Sequence, residues 1–570
     1  MRGRMTIWTD KPGPSHRFAR VALAPVLVTG RKLVRTAAAM QVRRLFSGTT
    51  GRWRLRAAGS ALVVHDGMLM YPLGGRLPRT VTDENAALVI RLLDDLDIPH
   101  IQVRTGTRIR VTVAISAEHR ARLLAALTNL GAQQPLYSTV LVEDLTSVDR
   151  LRLSELFRVP ANSALPASKL HKYVDTAAAV RIWRFYLDRR SGLALGTEYG
   201  CEIEFWSSVV TAGSTRWLAP RPNVAGVEFS AADVDLAPRK AHRASRRSPV
   251  FDQQMIDDIV FPIDVVYTWV DDVDPAWREK FERYSGRSLT GHHQQAGAKE
   301  RFRSRDELRY SLRSLDMYAP WVRNIYIVTD GQDPGFIDFD ERIHLVDHRE
   351  IAHDTATLPV FNSNAIISWL HRIPGLSEHY IYVNDDVFFG KDTNPVLFFT
   401  PSGLAKVFPS NNRRPFGEPT PDDEPHVNIS RNIRALLERD FGRTISRSVK
   451  HTPHAQMVSV QEEMEKRYPD AYARTSRSRF RHHDDIAADQ LFHYYAQLTG
   501  RAVVDRIRYA YVNVGNRSAA PELSRLLASR SRDVFCLNDA PTDGVPPIDD
   551  QTVRSFLETY FPIPSSFEHS

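Results

Sequence analysis

The run His379-Tyr-Ile-Tyr-Val-Asn-Asp-Asp-Val-Phe-Phe389 decides the reading of the fold, because two carboxylates, Asp385 and Asp386, interrupt an otherwise buried strand. Ionised side chains beside a core are costly to desolvate unless something pairs with them. A divalent cation would meet that cost. Hard oxygen ligands suit Mg2+ or Mn2+, which in turn hold the diphosphate of a nucleotide donor. The tip of a strand in an open α/β sheet is where such ligands bind. With the backbone extended through the run, Asn384 and Asp386 share one face and Asp385 takes the other. Direct metal contact then falls to Asp386, with Asp385 behind it or on the donor's sugar. The plainer alternative is an Asn-Asp-Asp turn that caps the next segment.

Outward from this run, strands and helices alternate. Strands are expected at 265–267, 324–329 and 380–383, and helices over 306–317 and 364–370. That rhythm predicts an α/β domain with a mainly parallel sheet flanked by helices. Upstream, a strand at 61–64, a helix over 84–96, strands within 101–115 and a helix over 117–130 predict a smaller N-terminal α/β module. Residues 180–205 read as a hairpin turning near Arg190-Ser-Gly192. The chain divides into a basic amphipathic arm (1–56), the N-terminal module (57–237), an exposed linker (238–250) and a catalytic domain (251–570). Residues 409–425, rich in Pro and Asp, read as a loop long enough to bind an acceptor or act as a lid.

At 570 residues the chain has room for two or three full cores. Its two cysteines, Cys201 and Cys536, form neither a disulfide framework nor a zinc pattern, and suit a reducing compartment. No apolar run reaches the roughly 18 residues of a spanning helix. The net charge of +8 is concentrated early, since no Asp or Glu occurs between Asp10 and Asp66. The arginines of that stretch alternate with Val, Leu and Phe46, a pattern for an amphipathic helix on an anionic membrane surface or for a solvated arm. No nucleic-acid motif accompanies the charge, so nucleic acid is not an expected partner. The expected location is cytoplasmic, at the inner face of the membrane.

Several other groups carry chemistry. Thr268-Trp-Val-Asp-Asp-Val-Asp-Pro275 puts an aromatic ring and three carboxylates at a strand tip, where Trp269 could stack a base and Asp271 hold a ribose or metal. Arg301-Phe-Arg303 leads into a helix carrying Arg309 and Arg313 one turn apart, as phosphate clamps or as members of a salt-bridged surface. Asn362-Ser-Asn364 opens a helix, so one of the three is an N-cap and the others suit sugar hydroxyls or an anion. His451-Thr-Pro-His454 and Arg479-Phe-Arg481-His-His-Asp-Asp485 combine imidazoles, guanidinium groups and carboxylates for general-base activation and charge neutralisation at phosphorus. Phe535-Cys-Leu-Asn-Asp539 ends a second apolar run in Asn-Asp.

These pieces resemble the Stealth family of bacterial sugar-phosphate transferases. That family makes capsule, exopolysaccharide and cell-wall polysaccharides and is related to the animal enzyme that adds N-acetylglucosamine-1-phosphate to lysosomal glycans. Its four blocks are visible. The first is Ile263-Asp-Val-Val-Tyr-Thr-Trp-Val-Asp271, and the second runs from Glu307-Leu-Arg-Tyr-Ser-Leu-Arg-Ser314 through Ile327-Val-Thr-Asp-Gly-Gln332 and Phe361-Asn-Ser-Asn364 to Asn384-Asp-Asp386. The third holds His451–His454 and Arg479–Arg481, and the fourth is Cys536-Leu-Asn-Asp539. Asp272 stands where the family usually has glycine, and Ser304 stands where an acidic residue is common.

The resemblance implies a fold like the A-type glycosyltransferases and a metal-dependent phosphotransferase. An acceptor hydroxyl on a polysaccharide or lipid-linked glycan would attack the β-phosphate of a nucleotide sugar, UDP-linked by expectation, and release a nucleoside monophosphate. In that scheme Mg2+ or Mn2+ sits on Asp386 with Asp385 and Asp539 nearby, and His454 is the general base. Arg303, Arg479 and Arg481 neutralise phosphate charge, and Asp271, Trp269, Asn362, Asn364 and Arg309 contact the donor. The alternatives are an A-type glycosyltransferase releasing the diphosphate, and a non-catalytic polysaccharide assembly protein.

Overall fold

The computed structural model describes residues 62–66, 68–106, 109–142, 165–175, 177–211, 213–236, 248–288, 302–540 and 545–569. The basic arm and nearly all of the expected linker lie outside the described residues.

In the N-terminal module, strands β1 (Thr112–Ser116), β2 (Tyr137–Val142), β3 (Ala177–Trp183) and β4 (Cys201–Thr211) form the centre of a mixed sheet. β3 is antiparallel to β2 and β4, and β1 runs parallel to β4. Helices α1 (Pro78–Asp95) and α2 (Arg120–Gln133) contribute Leu88, Val89, Leu93, Leu123, Leu124 and Leu127 to the core shared with these strands. Those positions recur at helical spacing, which is why the periodicity was legible. The expected hairpin is present: Cys201 opposes Ile182, and the short strands Tyr186–Leu187 and Ala194–Leu195 pair at its inner end.

The second domain is built on strands β5 (Ile263–Thr268), β6 (Ile325–Thr329), β7 (Ile343–Asp347) and β8 (His379–Asn384), all parallel, in the order β7-β6-β5-β8. A later strand, His454–Met457, joins the β8 edge antiparallel. Val265, Val266, Ile325, Ile327, Val328, Ile381 and Val383 are buried, because helices cover both faces of a parallel sheet and its strands read as continuous apolar runs. Asp264 staples the amino end of β5. Fully buried, it accepts from Arg323 Nε at 2.8 Å, from Asn324 N at 3.1 Å and from Ser377 N at 2.7 Å.

A three-stranded sheet adjoins this one, made of β9 (Val387–Phe389), β10 (Tyr509–Asn513) and β11 (Val534–Asn538), with β11 in the middle. β9 and β11 are antiparallel with Val387 opposite Cys536, and Leu537 N donates to Asp386 O at 3.0 Å. This register sets the Asn538-Asp539 tip beside the Asn384–Asp386 tip.

Three expectations need correction. The backbone is not extended through the acidic run: β8 ends at Asn384, Asp385 and Asp386 form a turn, and β9 starts at Val387. The helix expected over 364–370 is a short α-helix, Ser363–Ile367, followed by a separate 3-10 turn at Leu370–Arg372. The 409–425 segment is not all loop, because Pro409–Arg413 pairs antiparallel with Arg447–Val449, a partner too distant in sequence to be inferred from local pattern. The hydrophobic core also runs across the expected domain boundary, since Leu73, Leu77, Val81, Tyr186 and Tyr199 belong to the same cluster as Leu315, Met317 and Tyr318.

Candidate active site at the carboxyl edge of the sheet

Parallel strands send their carboxyl ends to one edge, and the acidic tips gather there. Helix α3 (Glu307–Tyr318) sets their position through two buried serines. Ser311 Oγ donates to Val387 O at 2.6 Å, and Ser314 Oγ accepts from Phe389 N at 3.0 Å, so the helix grips the strand that follows Asp386. Asp386 Oδ2 accepts from the Cys536 thiol at 3.5 Å, while its buried Oδ1 has no partner among the described residues. Burial pushes the Asp386 carboxyl up to about 7, with the Glu307 charge adding to the rise and the Cys536 thiol easing it. Burial, then the charges of Asp386 and Glu307, push Asp385 well above the carboxylate range.

Among the described residues no Lys or Arg forms an ion pair with Asp385 or Asp386. An orphaned carboxylate oxygen on an acidic pair without a cationic partner among the described residues fits a hard divalent cation. Asp539 is less free. Arg305 Nη2 holds it at 2.6 Å and Arg303 Nη1 lies 3.7 Å away. The ligating oxygens of Asp385, Asp386 and Asp539 do not converge on one point. Among the described residues, the group of three that does is His482, His483 and Asp484, whose ligand atoms lie within 4.8 Å of one another.

Arg305 escaped the sequence reading. Only 1% exposed, it bonds Asp550 Oδ1 at 2.7 Å as well as Asp539, and its backbone N–H donates to the Glu307 carboxylate. Nothing in the sequence separates it from Arg301 and Arg303, because its three partners lie up to 245 residues away.

The β5 tip is tied to the β6 tip by Gln332, whose amide donates to Asp271 O at 2.8 Å and Asp274 Oδ2 at 2.9 Å and accepts from Asp271 N at 3.0 Å. Gly331, at φ +72°, makes the turn that lets Gln332 reach back. Asp271 Oδ1 accepts from Val273 N at 3.0 Å, and Trp269 packs half-buried against the main core. The two departures from the family pattern meet here: Ser304 N donates to Asp272 Oδ1 at 3.3 Å, joining the first block to the second.

Two Arg-Phe-Arg triplets converge on one aromatic cluster. Phe302 lies 5.2 Å from Trp277 and 5.3 Å from Phe281, and Phe480 lies 5.8 Å from Phe281 and stacks on Phe361 at 5.2 Å. Packing both rings into this cluster joins the segment that carries Arg303 to the one that carries Arg479 and Arg481. Their roles then diverge. Arg479 spends its fork on Pro359 O at 2.8 Å and Thr357 O at 2.9 Å, whereas Arg481 donates to Ser363 Oγ at 2.8 Å and leaves its buried Nε unpaired.

Asn362 is fully buried and fully used. It caps the Ser363–Ile367 helix by accepting from Asn364 N at 3.1 Å, and its amide donates to Asp485 Oδ2 at 2.8 Å and Ser478 O at 3.1 Å. Asn362 therefore anchors the Arg479–Asp485 loop and has nothing left for a donor. Asn364 keeps a buried amide nitrogen without a partner. Arg309 and Arg313 realise the surface alternative. Arg309 pairs with Asp306 at 2.8 Å and Arg313 with Glu568 at 2.7 Å, so neither fork is open to a phosphate.

His454 lies opposite Tyr382 in the ladder, with Nδ1 2.8 Å from Asp489 Oδ2 and Nε2 2.9 Å from Lys450 O. Both ring nitrogens face oxygen acceptors, so neither lone pair is presented to a substrate hydroxyl, which departs from the general-base expectation. Burial raises the Asp489 carboxyl, but the bond and charge of His454, the charge of His493 and the Gln490 backbone bond together outweigh it and the net shift is downward. His451, three residues earlier, is exposed and stands 5.5 Å from the Tyr511 ring, a ring that in turn feels the Asp386 charge. Burial, then the charges of His454 and Arg414, hold the His451 pKa down to about 4, so this imidazole is a neutral acceptor in the cleft.

Comparison with known proteins follows the same blocks. Stealth protein conserved regions 1, 2, 3 and 4 match residues 261–289, 301–407, 450–498 and 524–570. An exopolysaccharide phosphotransferase of Streptomyces coelicolor is 38% identical over 509 residues, covering 86% of this chain and 83% of that one. A second from the same organism is 36% identical over 546 residues, 94% of this chain and 98% of that one, so the similarity takes in the N-terminal module. Exopolysaccharide phosphotransferase CpsY of Mycobacterium tuberculosis is 32% identical over 540 residues, 92% of this chain and 95% of that one. Among solved structures, the galactosyltransferase LgtC superposes at a TM-score of 0.29 and 11% identity over 54% of this chain and 97% of that one, too loosely to bear on the argument.

Proposed function

This chain belongs to the Stealth family, and on that premise we propose that it is a phosphotransferase that moves a sugar 1-phosphate from a nucleotide sugar to a glycan hydroxyl in exopolysaccharide or cell-wall polysaccharide. One observation carries the reading: the Asp385–Asp386 turn at the carboxyl edge of a parallel sheet, with a buried carboxylate oxygen that no group among the described residues satisfies. Asp386, with Asp385 beside it, would hold Mg2+ or Mn2+. Such a cation supplies charge neutralisation at a diphosphate.

The remaining steps fall to this chain's own groups. The acceptor hydroxyl oxygen attacks the β-phosphorus, the bond to the bridging oxygen breaks, and the nucleoside monophosphate leaves with that electron pair. His451 takes the hydroxyl proton, Arg481 offers its free Nε to phosphate charge, and Trp269 with Asp271 borders the donor at the β5 tip. His454, locked between Asp489 and Lys450 O, orients the strand that follows His451. Intact-mass analysis of product and leaving group tests the reaction. Phosphorus retained in the glycan with release of a monophosphate supports it, and a phosphorus-free glycosidic product with release of a diphosphate overturns it.

His451→Asn is expected to lower turnover by about 10²-fold, the lower end for loss of a positioned base, with donor affinity little changed. Because its pKa lies near 4, the wild-type kcat/KM should show no inflection from this group between pH 5.5 and 7.5 and should fall with unit slope below about 4. A variant with unaltered turnover and the same acid limb would move the base elsewhere.

The acid-free arm before Asp66 docks the enzyme on the inner membrane face, where lipid-linked acceptors would be assembled. Deleting residues 1–47 should weaken binding to anionic vesicles, at about 1 kcal/mol per basic residue near the surface, yet spare turnover on a soluble acceptor. Equal vesicle binding by truncated and intact proteins would refute this anchor.

A further inference from the structure

A cavity of about 710 Å³ lies where the N-terminal module meets the catalytic domain, walled by Arg79, Arg104 and Arg110 on one side and by Trp321, Asp392 and Asn394 on the other. It is separate from the acidic tips. Helix α3 begins at Glu307, beside Asp386, and its twelve residues, about 18 Å of helix, reach the cavity at Met317.

Several of the charges in the cavity wall are already paired, and the carboxylates of Asp83 and Asp257 are exposed. Arg79 bonds Asp316 at 2.7 Å, Arg104 pairs with Asp258, and Asp392 accepts from the Tyr199 hydroxyl at 2.7 Å. Arg110 differs. Its buried Nε has no acceptor, and its guanidinium makes no hydrogen bond or ion pair with the described residues. Its neighbours Arg181 and Arg221 are committed to Glu202 and Glu204, with Arg181 Nη2 2.9 Å from Glu202 and Arg221 Nε 2.7 Å from Glu204. Burial, then repulsion from Arg181, lowers the Arg110 pKa to about 10 against the attraction of Glu198, which leaves it charged at neutral pH. A guanidinium held charged without a partner at a cavity wall is completed by an anion whose oxygens match its fork, and phosphate oxygens do. Across the cavity, Trp321 is held by its own Nε1 bond to Thr393 O at 3.1 Å, which fixes an indole on the facing wall.

We propose that this cavity binds a phosphodiester-bearing segment of the glycan away from the reaction centre, with a phosphate on Arg110 and a sugar ring against Trp321. The inference rests on the phosphotransferase reading for the chemistry of its ligand. Holding the chain at a second point would keep a growing polymer associated between turnovers.

The test uses the full chain carrying Asp386→Asn, so that no turnover intervenes, and measures by calorimetry the binding of a synthetic tetramer of glycerol joined by phosphodiesters. Inorganic phosphate and the phosphate-free oligomer are the comparison probes. The expected result is saturable binding of the tetramer, weakened at least tenfold by Arg110→Gln and several-fold by Trp321→Ala, with the phosphate-free oligomer failing to bind. Arg110→Gln removes an unpaired buried charge and so should not lower the melting temperature. Tetramer affinity unchanged by Arg110→Gln overturns the proposal, and inorganic phosphate binding as tightly as the tetramer reduces the site to one for free phosphate and overturns the glycan assignment. Arg110-dependent binding in an enzyme whose product lacks phosphorus would sink the reaction and leave this site standing. A phosphorus-containing product without Arg110-dependent binding would sink this site alone.

Discussion

Asp386→Asn is expected to lower phosphotransfer by about 10³-fold or more while leaving the protein folded. The amide keeps the shape of the side chain but lacks the charge a hard cation requires, and several kcal/mol of charge stabilisation at about 1.4 kcal/mol per decade corresponds to that loss. A melting experiment gives an independent readout. In metal-free buffer the Asp386 carboxyl titrates near 7 in the folded protein, well above its unfolded value. Its contribution to stability is therefore complete below about pH 4 and is lost as pH rises through 7. Asparagine escapes that loss, so the variant should melt above wild type at pH 8 and approach it at pH 5. Mg2+ or Mn2+ should raise the melting temperature of wild type and not of the variant. Near-normal turnover with an intact cation-dependent rise in the variant would remove Asp386 from the cation site.

Arg305→Met should destabilise the protein by about 3–5 kcal/mol, the range for stranding buried charges by removing one partner. Three carboxylates meet this side chain, and among the described residues Asp539 keeps only Arg303, at 3.7 Å, once it is gone. Lysine cannot reproduce the fork, so Arg305→Lys should fall between wild type and Arg305→Met. Adding Asp539→Asn to Arg305→Met should recover part of the loss, because the amide no longer needs a counter-charge. Denaturant midpoints measure all three. A loss below about 1 kcal/mol for Arg305→Met would show that the cluster is held by other means.

Much of the architecture was legible because its signals are local. Buried parallel strands read as apolar runs, Leu308, Leu312 and Leu315 recur at helical spacing, and Asn362 precedes its helix as an N-cap should. The arginines were harder, because a guanidinium reads the same whether it faces a phosphate or a carboxylate. Arg309 and Arg313 lie on the expected helix, yet Glu568, some 255 residues on, decides what they bind. The same distance hid the Cys536 thiol beside Asp386 and the common cluster in which Phe302 and Phe480 pack. His451 and His454 share one motif, and only the partners at each ring nitrogen distinguish an open imidazole from a closed one.

By itself the sequence determined the strand-and-helix order, the acidic strand tips and the family, since these depend on periodicity, local turn chemistry and residue identity along the chain. Tertiary structure alone decided which charges are spent and which remain free. Hydrogen bonds and ion pairs saturate through direction and distance, and for Asp386, Arg481 and Arg110 the atoms that could have satisfied them lie far away in sequence or are already committed to other partners.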